Sequence, residues 1–162
     1  MTNQAAPPLR ASRSGIVCDL EMEAALRRAR VGWLGTTDPG GGPHLVPVWF
    51  FWDGTAVVLY SKPEAQKLRN LEQMPEVAFA VEPRARSMCS VLIEGRAEVL
   101  PLTDRLATGF RKKYGRAIRG IGIEPSAFAR MYPQAIRISP QRMRKYGDFL
   151  ALEQAAQAPD AP

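Results

Sequence analysis

The sequence predicts a mainly β protein with a few peripheral helices in a single domain, and three observations carry that expectation. Pro43-His44-Leu45-Val46-Pro47-Val48-Trp49-Phe50-Phe51-Trp52 reads as a strand with bulky apolar residues at both parities of its two-residue period. Asp53-Gly54 then makes a tight turn into Thr55-Ala56-Val57-Val58-Leu59-Tyr60, the pattern of a hairpin. The 162 residues fall near the usual size of one domain and bury roughly 70% of the unfolded chain's surface around one core.

Taken in order, residues 1–14 are polar and proline-containing and are expected as a flexible arm, 15–150 as the folded domain, and 151–162, rich in Ala, Gln and Pro, as a flexible tail. A helix is expected near Asp19–Arg30, with Asp19 as cap and Leu20, Ala24 and Leu26 on its apolar side. Strands are expected at Val31–Thr37, Pro43–Phe51, Thr55–Tyr60, Glu76–Val81, Cys89–Leu100, Gln134–Ser139 and Gln141–Tyr146. Further helices are expected near Lys62–Met74, Leu102–Tyr114 and Pro125–Met131. The second of these strands sends Leu45, Pro47, Trp49 and Phe51 one way and Val46, Val48, Phe50 and Trp52 the other. One face meets the core; the other is expected to meet a partner subunit or a flat apolar ligand. Pro47 donates nothing to a ladder, which leaves the backbone near Trp49 free for another partner.

Ser61-Lys62-Pro63-Glu64 has the spacing of a capping box with proline in the first turn, and Ala65, Leu68 and Leu71 form an apolar stripe behind it. A strand running into a capped helix, with a hydroxyl at the start and Lys67 one turn in, suits a phosphate group; a plain helix start with solvated cations fits the same residues.

Charge and composition exclude several classes. The chain carries 22 Lys and Arg against 16 Asp and Glu, a net charge of +6, and Arg105, Arg111, Lys112, Lys113, Arg116 and Arg119 crowd one segment. No helix-turn-helix or zinc module accompanies them and no aromatics interleave, so the segment reads as a solvated face or an attractor of an anionic ligand, and nucleic acid is not expected. The sequence has no apolar run of about 18 residues and no signal-peptide core, so no membrane is expected and a cytoplasmic location is. Cys18 and Cys89 are far apart and not in metal-binding spacing; they are expected as free thiols, and no metal site is expected. His44, the only histidine, has no nucleophile or carboxylate signalled beside it and reads as a strand residue near the Gly40-Gly41-Gly42 turn. Trp33 and Trp52 read as core or subunit-contact residues, and Arg137, Arg142 and Arg144 as outward positions of the last strands.

Val31-Gly32-Trp33-Leu34-Gly35-Thr36-Thr37, the Gly-rich turn, Pro43-His44-Leu45-Val46-Pro47-Val48-Trp49-Phe50, Tyr60-Ser61 and Gln66-Lys67-Leu68-Arg69-Asn70-Leu71 occur in that order. With Val91-Leu92-Ile93-Glu94-Gly95, Lys113-Tyr114-Gly115 and Ile136-Arg137-Ile138 further on, the chain resembles the pyridoxamine 5'-phosphate oxidase-like superfamily of split β-barrels over Asp19 to Phe149. Within it the likeness is strongest to the subfamily associated with the deazaflavin coenzyme F420. The resemblance implies an FMN-binding-type split β-barrel, homodimeric, with a cofactor in the groove between two subunits. It implies Ser61, Gln66 and Lys67 near the cofactor phosphate, Tyr60 beside them, and Pro47, Val48 and Trp49 along the ring. Arg69 and Asn70 match as well, as cofactor contacts or as supports of the helix.

The function so implied is an F420-dependent oxidoreductase passing a hydride between the cofactor and a small conjugated acceptor, with FMN as the alternative cofactor. No catalytic acid is nominated by the sequence, and pyridoxamine phosphate oxidation itself is not the expected reaction. The rival from another class is a non-catalytic carrier or sensor of a flavin or of heme, for which His44 is the only imidazole. Specificity for the acceptor is assigned to the loop from Glu82 to Met88 and the connection from Gly115 to Pro125.

Overall fold

The computed structural model describes residues 10–11, 17–82 and 89–147. Its elements run β1 (Arg10–Ala11), β2 (Val17–Cys18), α1 (Leu20–Arg28), β3 (Gly32–Thr37), β4 (Pro43–Val48), β5 (Phe50–Trp52), β6 (Val57–Ser61), α2 (Gln66–Gln73), β7 (Glu76–Val81), β8 (Ser90–Val99), α3 (Thr108–Gly120), α4 (Pro125–Met131) and β9 (Gln134–Tyr146). Within the stretch expected as an arm, Arg10 and Ala11 pair with Cys18 and Val17. Residues 1–9 and 12–14 of that stretch, the tail over 151–162 and residues 83–88 of the Glu82–Met88 loop lie outside the described residues.

The main sheet has seven strands in the order β4-β3-β7-β8-β9-β6-β5, every neighbouring pair antiparallel. Its two edges, β4 and β5, are separated in the chain by Trp49 alone. Two strands one residue apart cannot stand at opposite sides of a flat sheet, because that link spans only about 7 Å. The sheet therefore curls until its edges meet, which makes a half-barrel closed by covalent connection at Trp49. The strand expected over Pro43–Phe51 is thus two strands with different partners: β4 pairs β3 and β5 pairs β6.

Local sequence explains most of the elements. Asp19 caps α1 by accepting from the Met22 N–H at 2.8 Å, and Met22, Ala25 and Leu26 turn inward. The β5–β6 hairpin turns at Asp53, whose Oδ1 accepts from the N–H groups of Thr55 and Ala56 at 2.8 Å, while Gly54 takes a φ of 100°. In β8, Val91, Ile93 and Ala97 alternate inward. A bulge at Glu94/Gly95 shifts the β8–β9 register, and a Cβ on Gly95 would stand 2.6 Å from the Ser139 carbonyl oxygen. The strand pair expected at Gln134–Ser139 and Gln141–Tyr146 is one continuous β9. It accommodates Pro140 because β6 leaves it after Ile138, so no ladder bond is lost on that side.

Three expectations about helices and faces are corrected. The helix placed at Leu102–Tyr114 is α3, six residues later at its start and six at its end. Before it, Leu100 and Thr103 donate their N–H groups to Ala135 and Pro133, so the chain is still tied to β9, and Thr103 Oγ1 accepts from the Arg105 N–H at 3.1 Å. Gly115 does not end that helix but sits buried inside it; Gly122, with φ 79°, lies past its end. The second face of the Trp49–Phe51 segment is covered by the chain itself. The first core fills the half-barrel with Leu34, Phe50, Phe79, Ile93, Ile136 and Ile138 under Leu26 of α1 and Leu68 and Leu71 of α2. A second core lies outside the sheet, where Phe110, Tyr114 and Ile118 of α3 and Phe128 of α4 pack on Trp49, Phe51 and Tyr60. Of that apolar face Leu45, 63% exposed, and Pro47 are left open, and Trp49 and Phe51 are half-buried.

Candidate functional site

The half-barrel edge, the end of β6 and the α3–α4 cap enclose a cavity of about 440 Å3. Pro47, Val48 and Trp49 line one side, Tyr60, Ser61 and Lys67 the strand-to-helix junction, and Phe110, Ile121, Phe128 and Tyr132 the cap. Six of the seven residues expected at a cofactor site are therefore together. Gln66 is not among the lining residues; its Nε2 donates to Asn70 Oδ1 at 2.8 Å and its Oε1 accepts from Arg69.

The capping box expected at Ser61 does not form. Pro63 disfavours helical geometry for Lys62, and residues 62–65 make a turn closed by the Ala65 N–H on the Lys62 carbonyl at 3.2 Å. The helix begins at Gln66 behind Ala65, with no side-chain cap. Ser61 instead ends β6, 2% exposed, and accepts at its Oγ from Lys67 Nζ at 3.2 Å while donating to the Lys62 carbonyl at 3.1 Å. Burial holds the Lys67 ammonium below the usual lysine range. Its one hydrogen-bond partner among the described residues is a neutral hydroxyl. A half-buried cation without a carboxylate, facing a cavity, is a seat for an anion.

The wall is aromatic. Trp49 stacks with Tyr114, centroids 4.8 Å apart and planes 6° apart, and with Phe128 at 5.9 Å and 15°. Phe128 in turn stacks with Tyr132 at 4.5 Å, and Lys62 Nζ lies 5.6 Å from the Tyr132 centroid. Tyr60 meets Phe110 edge-on at 4.9 Å, and its hydroxyl accepts from the Ala107 N–H at 2.7 Å, which anchors the entry to α3. Tyr114 holds Trp49 from behind. Its hydroxyl accepts from the Phe50 N–H at 3.1 Å and donates to the carbonyl of Phe50 at 2.8 Å or of Arg30 at 2.7 Å.

The remaining sequence candidates lie elsewhere. Asn70, fully buried, donates to Thr36 Oγ1 at 2.9 Å, and Arg69 donates to the Glu64 carbonyl at 2.7 Å, so both support α2. His44 sits on β4 with Nδ1 3.3 Å from Thr36 Oγ1 and does not line the cavity. Arg137 pairs with Asp53 at 2.6 Å, and Arg142 and Arg144 with Glu94, on the outward side of the strands. Trp33 is half-buried and donates to Glu82 at 2.9 Å, while Trp52 belongs to the core. Within the basic segment Lys113 departs from the solvated reading. It lies 4.0 Å over the Phe50 ring, and burial and the Arg30 guanidinium push its pKa down to about 8. Cys18 and Cys89 are unpaired and buried. No helix among the described residues is long and apolar enough to cross a membrane.

Phe110, Ile121, Phe128 and Tyr132 were not among the expected site residues. Phe128 and Tyr132 carry a local signal, aromatics four apart at the end of a short helix, but nothing local says which surface they meet.

The model of the pyridoxamine 5'-phosphate oxidase family matches residues 19–147. No curated protein sequence matches. Among solved structures, an F420 reductase is 26% identical with a TM-score of 0.60, the match covering 75% of this chain and 94% of that one. A conserved hypothetical protein of Mycobacterium tuberculosis is 23% identical with a TM-score of 0.63, covering 99% and 96%. The heme storage protein of Vibrio cholerae is 16% identical with a TM-score of 0.54, covering 78% and 92%. The last two similarities are of fold.

Proposed function

The chain belongs to the pyridoxamine 5'-phosphate oxidase family of split β-barrels, and on that footing we propose that it is an oxidoreductase that binds coenzyme F420, with FMN as the alternative, and serves a small conjugated acceptor. The observation that carries the proposal is the Lys67–Ser61 pair, a half-buried cation bonded to a hydroxyl at the foot of an aromatic cavity. A planar cofactor with a phosphate-bearing side chain fits that division of polarity. The F420 choice is supported by the 26% identity to an F420 reductase.

Lys67 and Ser61 would hold the phosphate, Lys67 as the counter-charge and Ser61 as its hydroxyl partner. Pro47, Val48 and Trp49 would line one face of the ring, with the Trp49 indole kept in plane by Tyr114. Tyr60 would brace the phosphate side through its bond to Ala107. Gln66 would reach the phosphate only after releasing Asn70. The bound deazaflavin or flavin supplies the hydride chemistry; the chain supplies position, an anion seat and an aromatic wall that excludes water. Two copies of the chain are proposed to complete the groove, with Leu45 and Pro47 on edge strand β4 as the uncovered apolar surface between them. Unpaired thiols at Cys18 and Cys89 suit the reducing cytoplasm, and the folded domain is proposed to be residues 15–150.

Titration with F420 and, separately, FMN tests this. Tight binding of either is expected, and Lys67→Ala should weaken it by about 1.5 to 3 kcal/mol, the scale of a charge-assisted hydrogen bond. Reduced cofactor should then be reoxidised faster when an acceptor is added, whereas a carrier would bind without turnover. Binding of neither cofactor, or unchanged affinity in the Lys67 variant, would refute the assignment.

A further inference from the structure

The α3–α4 cap has a second cavity on its other side, about 420 Å3, that none of the residues assigned to cofactor binding lines. Arg105 and Arg111, both exposed, line it together with Thr108 and Ser126, and Leu106, Pro125 and Ala129 give it apolar surface. Asp104 is the single carboxylate. Neither guanidinium has an ion-pair or hydrogen-bond partner among the described residues, although seven ion pairs organise the surface elsewhere. Consecutive residues of the same helices face the two cavities, Phe110 and Phe128 one and Arg111 and Ala129 the other.

We propose that this cavity is a second anion site, separate from the cofactor seat, and that it takes a phosphate monoester. Two arginine forks and two hydroxyls present more donors than the two oxygens of a carboxylate can accept, whereas a phosphate offers three peripheral oxygens and a dianionic charge. Asp104 repels a dianion twice as strongly as a monoanion, but the pull of the two guanidinium groups doubles as well, so the net attraction of a lining with two cations and one carboxylate grows with the charge of the ligand. The apolar surface fits the organic part of an ester, which inorganic phosphate lacks.

The test is calorimetric titration of phenyl phosphate into the full chain carrying Lys67→Ala, which disables the cofactor seat, at constant ionic strength. Saturable one-to-one binding is expected, weakened at least about tenfold by Arg105→Ala with Arg111→Ala. It should stay within about twofold in Lys112→Ala with Arg116→Ala, which removes the same charge from equally exposed residues of α3 that do not line the cavity. Ser126→Trp, which keeps both arginines and fills the opening, should abolish it. Benzoate should bind at least about tenfold more weakly than phenyl phosphate. Absence of saturable binding, equal loss in the two double variants, retention in Ser126→Trp, or equal binding of benzoate would each overturn the proposal. Because Lys67 is already removed, the outcome is independent of cofactor binding.

Discussion

Tyr114→Phe isolates one hydroxyl on which the Trp49 crossing depends. Tyr114 is 1% exposed, and burial pushes its pKa up to about 12, so at neutral pH it is a permanent O–H donor and acceptor. Its oxygen takes the Phe50 N–H, and its single proton serves either the Phe50 or the Arg30 carbonyl. The Phe50 groups lie where the chain passes from one sheet edge to the other, and Arg30 lies just ahead of β3. Removing the hydroxyl orphans a donor and an acceptor on Phe50, a fully buried residue, each at about 1 to 3 kcal/mol, while the exposed Arg30 regains water. Because the single proton is shared with Arg30, the Phe50 acceptor counts only in part, and the expected loss is about 2 to 4 kcal/mol, or roughly 5 to 15 °C in Tm for a domain of this size. Urea denaturation and thermal melting of the variant measure it. The ring, and so the stacking on Trp49, is retained, which confines the effect to the hydrogen bonds. A loss under about 0.5 kcal/mol would refute the view that this hydroxyl holds the backbone at the crossing.

Asn70→Leu should cost about 1 to 3 kcal/mol in urea denaturation, since it orphans the Gln66 amide and a hydroxyl partner at Thr36 inside the fold. Gly95→Ala should destabilise by about 1 to 3 kcal/mol, because the new Cβ meets the Ser139 backbone oxygen at 2.6 Å and backbone cannot step aside cheaply; an unchanged denaturation midpoint would contradict the bulge geometry. Lys113 releases its proton near pH 8 in the native state but near 10.5 when unfolded, so between these values the unfolded chain binds more protons and stability rises with pH. The stability of the parent protein relative to Lys113→Met should therefore grow from pH 8 to 10.5, and a flat difference across that window would show that the ammonium is not buried as described.

Signals that act over a few residues were readable in the chain. Asp19 caps its helix, Asp53 and Gly54 turn their hairpin, and the alternation of Val91, Ile93 and Ala97 places β8 with its inner face correct. Ser61 and Lys67 were singled out together and are found together, although through a strand end and a turn instead of a capping box. There the local signals conflicted, and the constraint Pro63 places on Lys62 overrode the Ser–Glu spacing. The split of one apolar strand at Trp49 was not legible, because a period of two runs through it unbroken and only the pairing partners change. The start of α3 was likewise hidden, since residues 100–103 are tied by hydrogen bonds to Ala135 and Pro133, thirty or more positions away.

By itself, then, the sequence determined the mainly β character, the order of the elements and the nearness of Ser61 to Lys67, because each depends on periodicity, turn chemistry or residues only a few positions apart. Only the tertiary structure decided that the sheet closes on itself at Trp49, that the outer face of that segment is covered by α3 and α4, and that Phe110, Phe128 and Tyr132 supply the far wall of the cavity. The cover and the far wall arise where segments about 50 to 80 residues apart bury apolar surface against each other. Hydrophobic burial is non-directional, so an apolar residue announces that it will be covered but not by what.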